Sequence, residues 1–584
     1  MKKIFILVGL LLTTVSLMAG PIGEQRARQI ATEFFEQHTT RAAVGSIELE
    51  WAGSDITTPC DTGSLLDSSL VYVYTRGNSD GFVVVAGESN VEPILAYSFD
   101  TTFDMNNMAE ATEAILDAWC RQLKDVRETA KPISGAMRHA TRASDTKVEY
   151  ETALWDQGEP YNLEAPVYEG YRSLTGCAAT AMAIICYYNE WPKRGVGTTP
   201  AYEYVDMEGV TRYVEANTLG REYEYDYMLM DYRYDYTERE GNAVAALMKD
   251  MGTSVMMSYH PEGSGATSIQ VINAFVNYFQ YSKGAKLAFG DSYSAEEWND
   301  IIRENIRNYG PTLFCGQGDA GGHAFVVDGF DADNYFHFNF GWSGYNNGYY
   351  LIPNIEFYWG QEVILNLKPD RDGTSQYTDN MVLTSLYYSE GVIAYNGIMS
   401  TAKGYQPGTE FKCSIGGIAN YGTGTFNGDI KLVVCNEDGV WKQELWGETV
   451  SVNPGSFIYE DVDCTITQTF EEGDRIRIYY KSQNSNSWEW LRRKSVVDID
   501  EVIVVASPED MADGLTFYYD KTTQKVGVIN SNAMHIEIYD TATESLAGRG
   551  DLSANENGTI SLPKGVYRFE VSLGGEPYKL IVKL

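Results

Sequence analysis

Residues 173–188, Ser173-Leu174-Thr175-Gly176-Cys177-Ala178-Ala179-Thr180-Ala181-Met182-Ala183-Ile184-Ile185-Cys186-Tyr187-Tyr188, contain no charged side chain. Good helix formers fill the run, Thr175 stands where a cap is wanted, and Pro192 follows its end. A helix apolar around its whole circumference has to be buried, so the rest of the chain must supply a core on every side of it. Its first turn nevertheless carries a thiol. Helix N-termini favour negative charge, the setting that turns a cysteine into a nucleophile. A structural cysteine in a core helix looks the same, because free cysteine is among the most buried residue types. Cys186 is no disulfide partner for Cys177: on one helix their spacing puts them half a turn and about 13 Å of rise apart.

A nucleophile needs a base. The chain has six histidines, at 38, 139, 260, 323, 337 and 535, and only His260, His323 and His337 share a region with Cys177. His323 sits in Gly321-Gly322-His323-Ala324-Phe325-Val326-Val327-Asp328-Gly329, an alternating strand after two glycines that permit close backbone approach. A second strand, 335–340, follows Asp331-Ala332-Asp333-Asn334. A hairpin with its loop at 329–333 sets Asn339 opposite His323 on the same face, and a slip of one residue destroys that pairing. From there an amide oxygen can hold the imidazole tautomer, as a third group must, and Trp342 can shelter the bond. Each of these residues also has an ordinary reading: a structural strand histidine, turn chemistry at Asn339, core packing at Trp342. Taken together, the order and spacing match papain-like enzymes, whose histidine lies about 130–150 residues after the nucleophile.

At 584 residues the chain holds several domains. Residues 1–20 read as a secretory signal peptide, with Met1-Lys2-Lys3, an apolar stretch and small residues at the exit. Residues 21–135 read as a small α+β domain, with helices at 24–37 and 108–126 and strands at 70–74 and 81–86. Residues 136–150 are polar and aperiodic, a cleavable linker. Residues 151–368 place helices first (the Cys177 helix, one near 241–251, and one opened by the capping box Ser294-x-x-Glu297) and strands second, an α+β domain. Short alternating runs split by Gly, Asn and Asp then predict β-sandwiches at 376–505 and 508–584. The net charge of −37 argues against nucleic-acid partners, and no later run is apolar enough to span a membrane. The eight cysteines are too sparse for a disulfide framework. No cofactor or metal is called for, since Asp331-Ala332-Asp333-Asn334 has too few ligands for a calcium loop.

Thr175-Gly176-Cys177-Ala178-Ala179-Thr180-Ala181, Trp191-Pro192, Gly263-Ser264-Gly265-Ala266, Gly321-Gly322-His323-Ala324-Phe325-Val326 and Asn339-Phe340-Gly341-Trp342 resemble the motifs of the streptopain family (C10) of secreted cysteine peptidases, in the form found in Bacteroidetes. The resemblance covers 22–368. It implies a papain-like catalytic domain with Cys177 and His323 as the dyad and Asn339 as the orienter. It also implies a zymogen inhibited by its own propeptide, protein or peptide substrates, and preference for an apolar side chain at the second position before the cut. The family's oxyanion glutamine is replaced here by Cys315; beside the backbone of Cys177, either a small loop shift lets the nearby Gln317 serve as the second donor or that donor comes from elsewhere. The last segment, with Ile560-Ser561-Leu562-Pro563-Lys564-Gly565-Val566-Tyr567, resembles a type IX secretion sorting domain, which implies the surface or surroundings of a Gram-negative bacterium. The Cys315 departure keeps a second reading open, an inactive protease-like adhesin that binds host protein or glycan through the sandwiches. A transferase using the same dyad is a third.

Overall fold

The computed structural model describes residues 20–38, 46–54, 66–129 and 147–503, less short gaps at 78–80, 102, 104–109, 319–320, 353–358, 388–392, 396, 403–404, 472 and 496–497, together with the strands between 516 and 583. The signal peptide except its last residue, and most of the linker, lie outside the described residues. Among the described residues no helix is long and apolar enough to cross a membrane. The chain divides into two compact units, 1–141 with 348–356 and 142–347 with 357–584.

In the first unit, helix Gly23–His38 buries Ala27, Ala31 and Phe35. Strands Ile47–Gly53, Val71–Arg76, Phe82–Ala86 and Ile94–Ser98 form an antiparallel meander, and helix Glu110–Thr129 follows. One strand comes from far downstream. Gly348–Leu351 pairs with Ile94–Ser98 (Tyr349 opposite Tyr97, Tyr350 opposite Ala96). Stacked rings hold it there, Tyr97 on Tyr349 at 4.9 Å and Trp119 on Tyr350 at 6.2 Å. The 151–368 boundary is therefore corrected: part of that span completes the N-terminal sheet.

In the second unit, helix Cys177–Asn189 is buried from Ala178 through Cys186, as its lack of charge requires. Helices Glu238–Ser254, Ser268–Asn277 and Ala295–Tyr309 accompany it, the last opened by the predicted Ser294–Glu297 box. Five antiparallel strands run in the order Tyr335–Asn339, Gly321–Phe330, Thr312–Gly318, Trp359–Leu365, Lys286–Phe289. This is the α+β arrangement expected of the papain-like catalytic region. Val148–Glu149 pairs with Phe330 and Gly329, so the end of the predicted linker 136–150 is strand rather than free chain.

The first β-sandwich sets the sheet built on Glu410–Asn420 against the one built on Phe426–Cys435 and Arg475–Ser482. Alternating residues Ile430, Leu432, Val434, Ile476 and Ile478 fill its core. Its Val382 and Ala419 belong to the same buried cluster as the Cys177 helix. The last strands form two further antiparallel sheets, 516–561 in part and 534–583 in part, consistent with the second predicted sandwich.

Candidate active site

Helix Cys177–Asn189 starts at the thiol itself. The cap is Gly176 at φ 88°, not Thr175, whose hydroxyl instead meets that of Thr180 at 3.0 Å. Glycine is required here: the positive φ disfavours a side chain, and a Cβ would lie 2.6 Å from the Met257 sulfur. Backbone groups of Ala324, Ala178 and Cys177 hydrogen-bond the Cys177 sulfur and favour its thiolate, but burial outweighs them and pushes the thiol above its ordinary value. This reverses the lowering expected from the helix terminus alone, because desolvation acts on the whole charge while the dipole supplies only a fraction of one.

Ala324 is the residue after His323 on strand Gly321–Phe330, and its backbone lies near enough to the Cys177 sulfur to favour the thiolate. His323 is 9 % exposed. Its Nε2 lies 2.9 Å from the Phe340 carbonyl. A carbonyl only accepts, so Nε2 carries the proton and Nδ1 is left as the basic nitrogen. Trp342 stacks on the imidazole at 4.8 Å and Phe325 at 5.5 Å. Burial drives the imidazole down to about 4, against the opposing pull of the Phe340 carbonyl. In this conformation both partners are neutral at pH 7.

The predicted hairpin register is corrected. Asn339 pairs with Val326, and a bulge between Val327 and Gly329 shifts the ladder, so Asn339 does not face His323. Its amide nitrogen donates to Thr152 Oγ1 at 2.9 Å and the Ala153 carbonyl at 2.8 Å. Its Oδ1 accepts from Gly341 N–H at 3.1 Å. The group that touches the imidazole is the backbone carbonyl of Phe340, for which no side-chain pattern gives a signal. Trp342 does lie over the histidine, as expected.

Cys315 sits opposite Ala324, with its thiol held well above its ordinary value by burial and then by the charges of Glu362 and Cys177. Gln317 is exposed, opposite Gly322, and its amide covers the Gly322 α-carbon, where a Cβ would meet Nε2 at 2.6 Å. The other two histidines of this region meet carboxylates: His260 Nε2 lies 3.0 Å from Glu208 and His337 Nδ1 lies 2.5 Å from Asp328. Asp331 Oδ1 accepts from the backbone of Asp333 and Tyr335, which is turn chemistry. Helix Ser268–Asn277 was missed by periodicity, although Thr267-x-x-Gln270 is a capping signature and Thr267 N–H does donate to Gln270 at 2.8 Å.

Residues 155–350 match the peptidase C10 family, and residues 19–123 match the Spi protease inhibitor family. The chain is 27% identical to the thiol protease/hemagglutinin PrtT of Porphyromonas gingivalis, over 88% of this chain and 59% of that protein; it thus spans well under two thirds of that relative. It is 29% identical to streptopain of Streptococcus pyogenes, over 50% of this chain and 76% of that one. The solved structure of the interpain A cysteine protease of Prevotella intermedia is 30% identical, with a TM-score of 0.35, covering 38% of this chain and 95% of that one. With a thiol at a helix start, an imidazole on a sheet strand and an inhibitor-like region ahead of both in the sequence, this chain belongs to the peptidase C10 family of cysteine proteases.

Proposed function

We propose that the chain is the zymogen of a secreted cysteine endopeptidase. Cys177 attacks the peptide carbonyl, and His323, through Nδ1, takes the thiol proton and returns it to the leaving amine. The backbone N–H of Cys177 at the helix start receives the oxyanion, with Gln317 as the second donor. Water then resolves the acyl-enzyme with His323 as base. The observation that carries this reading is that the nucleophile helix packs on the turn that holds the base: a Cβ at Gly341, next to the Phe340 carbonyl that meets His323, would lie 3.2 Å from Thr180, one turn after Cys177.

Residues 21–135 act as the inhibitory propeptide, and release follows cleavage in the polar linker. A pocket of about 250 Å³ lies along residues 204–207, Ser258, Tyr259, Gly263 and Gly265, with Asp206 and His260 as the ionisable groups of its wall. Ser264, between those glycines, bonds the Leu174 carbonyl at the approach to the helix. Val205 and Met207 are each 65 % exposed, which suits an apolar substrate side chain two positions before the cut. The C-terminal sandwich serves export through type IX machinery to the surface or surroundings of a Gram-negative cell.

Cys177→Ala is expected to abolish both autoprocessing and casein hydrolysis. Retained turnover in that variant would reject the nucleophile.

A further inference from the structure

Below His323 lies a buried polar chain that the dyad mechanism does not use. Thr152, Asp328 and Asn339 are 6 %, 1 % and 1 % exposed. The Thr152 hydroxyl donates to Asp328 Oδ2 at 2.5 Å and accepts from Asn339 Nδ2 at 2.9 Å. The other carboxylate oxygen of Asp328 meets His337 Nδ1 at 2.5 Å. Only a hydroxyl fills the position at 152: a carboxylate can only accept and an amide N–H can only donate, so the group between them must do both. Asn339 then passes the constraint on. Its Oδ1 holds Gly341 N–H, and Asn347 Oδ1 accepts from Phe340 N–H at 3.1 Å. The peptide that presents the Phe340 carbonyl to His323 is pinned on both sides.

The same segment reaches the nucleophile. Trp155 O accepts from Ser343 N–H at 3.0 Å, and Asp156 Oδ2 accepts from the Ser343 hydroxyl at 2.7 Å. Gln157 O accepts from Thr175 N–H at 3.1 Å, two residues before the thiol. Residues 152–157 therefore form a strap with one end on the turn that orients the imidazole and the other on the entry to the nucleophile helix.

Building on the cysteine-protease reading, we propose that Thr152 is a positioning residue for His323, acting through Asn339 and the Phe340 carbonyl. Because Val148–Glu149 and Tyr150 N–H anchor the strap to strand Gly321–Phe330, the maturation cut falls before Val148. Thr152→Val keeps the shape and removes both hydrogen bonds, whereas Thr152→Ser keeps both. Each full-length variant is matured with a trace of wild-type enzyme and titrated with an epoxide that labels Cys177, so that kcat refers to competent sites only.

Thr152→Val is expected to lower kcat per titrated site by up to about 10²-fold through misplacement of the imidazole, with little change in KM, and Thr152→Ser to restore most of it. Thr152→Ala, which adds no methyl beside the carboxylate, supplies the measurement if the valine variant does not accumulate. Wild-type kcat in both the valine and alanine variants, a serine variant as impaired as they are, or an active mature form whose mass places its N-terminus after Thr152 would overturn the proposal. A wild-type chain that neither cuts casein nor takes the label would remove the protease reading itself, and this proposal with it. An active wild type with an unaffected series removes this proposal alone.

Discussion

Acid should loosen the resting chain through one imidazole. Folding moves His323 from an ordinary 6.5 to about 4, chiefly by burial. The unfolded chain binds this proton first, so stability from keeping the ring neutral is complete above about pH 6.5 and drains away as pH falls toward 4. At about 1.4 kcal/mol per unit the whole effect approaches roughly 3 kcal/mol, of which about 2 is spent by about pH 5. That is a sizeable share of the roughly 5–15 kcal/mol that holds a domain together.

The measurement compares Cys177→Ala, which cannot digest itself, with the double variant Cys177→Ala/His323→Gln. Urea unfolding of both is followed by tryptophan fluorescence across this pH range. Every other ionisable group is common to both chains and cancels in the difference. The single variant is expected to lose about 2 kcal/mol more than the double by about pH 5. Parallel curves, or a His323 imidazole resonance that titrates near 6.5 in the folded chain, would refute the reasoning.

Two further outcomes follow from other parts of the molecule. Gln317→Ala should lower kcat by up to about 10²–10³-fold with KM little changed if its amide receives the oxyanion; steady-state kinetics with unchanged kcat would show that the second donor lies elsewhere. Ending the chain near residue 368 should cost the catalytic region thermal stability relative to a chain ending near 505. Such a cut removes Val382 and Ala419 from the shared core, and Arg493, 2 % exposed, whose Nε donates to the Asp291 carbonyl at 2.8 Å. Equal thermal midpoints would show that the sandwich is a separable appendage.

The fold was legible where pattern and chemistry coincide. Ala27 and Ala31 sit on the buried face of helix Gly23–His38, where Phe35 rather than Phe34 completes it, and the Ser294 box caps Ala295–Tyr309 as its spacing dictates. The uncharged run around Cys177 could only be a buried helix. The hairpin register was not legible, and the reason lies in the strand: from His323 to Phe330 every residue is buried, so alternation says nothing about which side chain faces which. The bulge before Gly329 then completed the error, because it adds a residue to one strand without a mark in the composition. Asn339 bonds Thr152, Ala153 and Gly341 rather than the imidazole. The orienting oxygen belongs to a backbone, and Thr152 lay just past a stretch that looked like linker. Asp328 was the clue available, an acid inside a wholly apolar run, which has to find partners in the interior.

The proposed zymogen can be silent before it is cut because of where one proton sits. Catalysis needs the proton of Cys177 on His323. With the thiol held above its ordinary value and the imidazole at about 4, both by burial, that transfer is uphill in this conformation. The neutral pair is then the resting form, a restraint that needs nothing placed in the cleft. Maturation has to narrow that gap, by letting water or charge reach the ring, and the change is readable without any substrate. Alkylation of Cys177 by iodoacetamide follows the thiolate. In the unprocessed chain its rate should rise only above about pH 9, and in the processed enzyme it should already be high near neutrality, with its lower limb set by His323. Processing sites blocked by substitution in the linker keep the first form intact during the assay. Identical profiles before and after processing would mean that the proton's position is not what separates the silent chain from the active one.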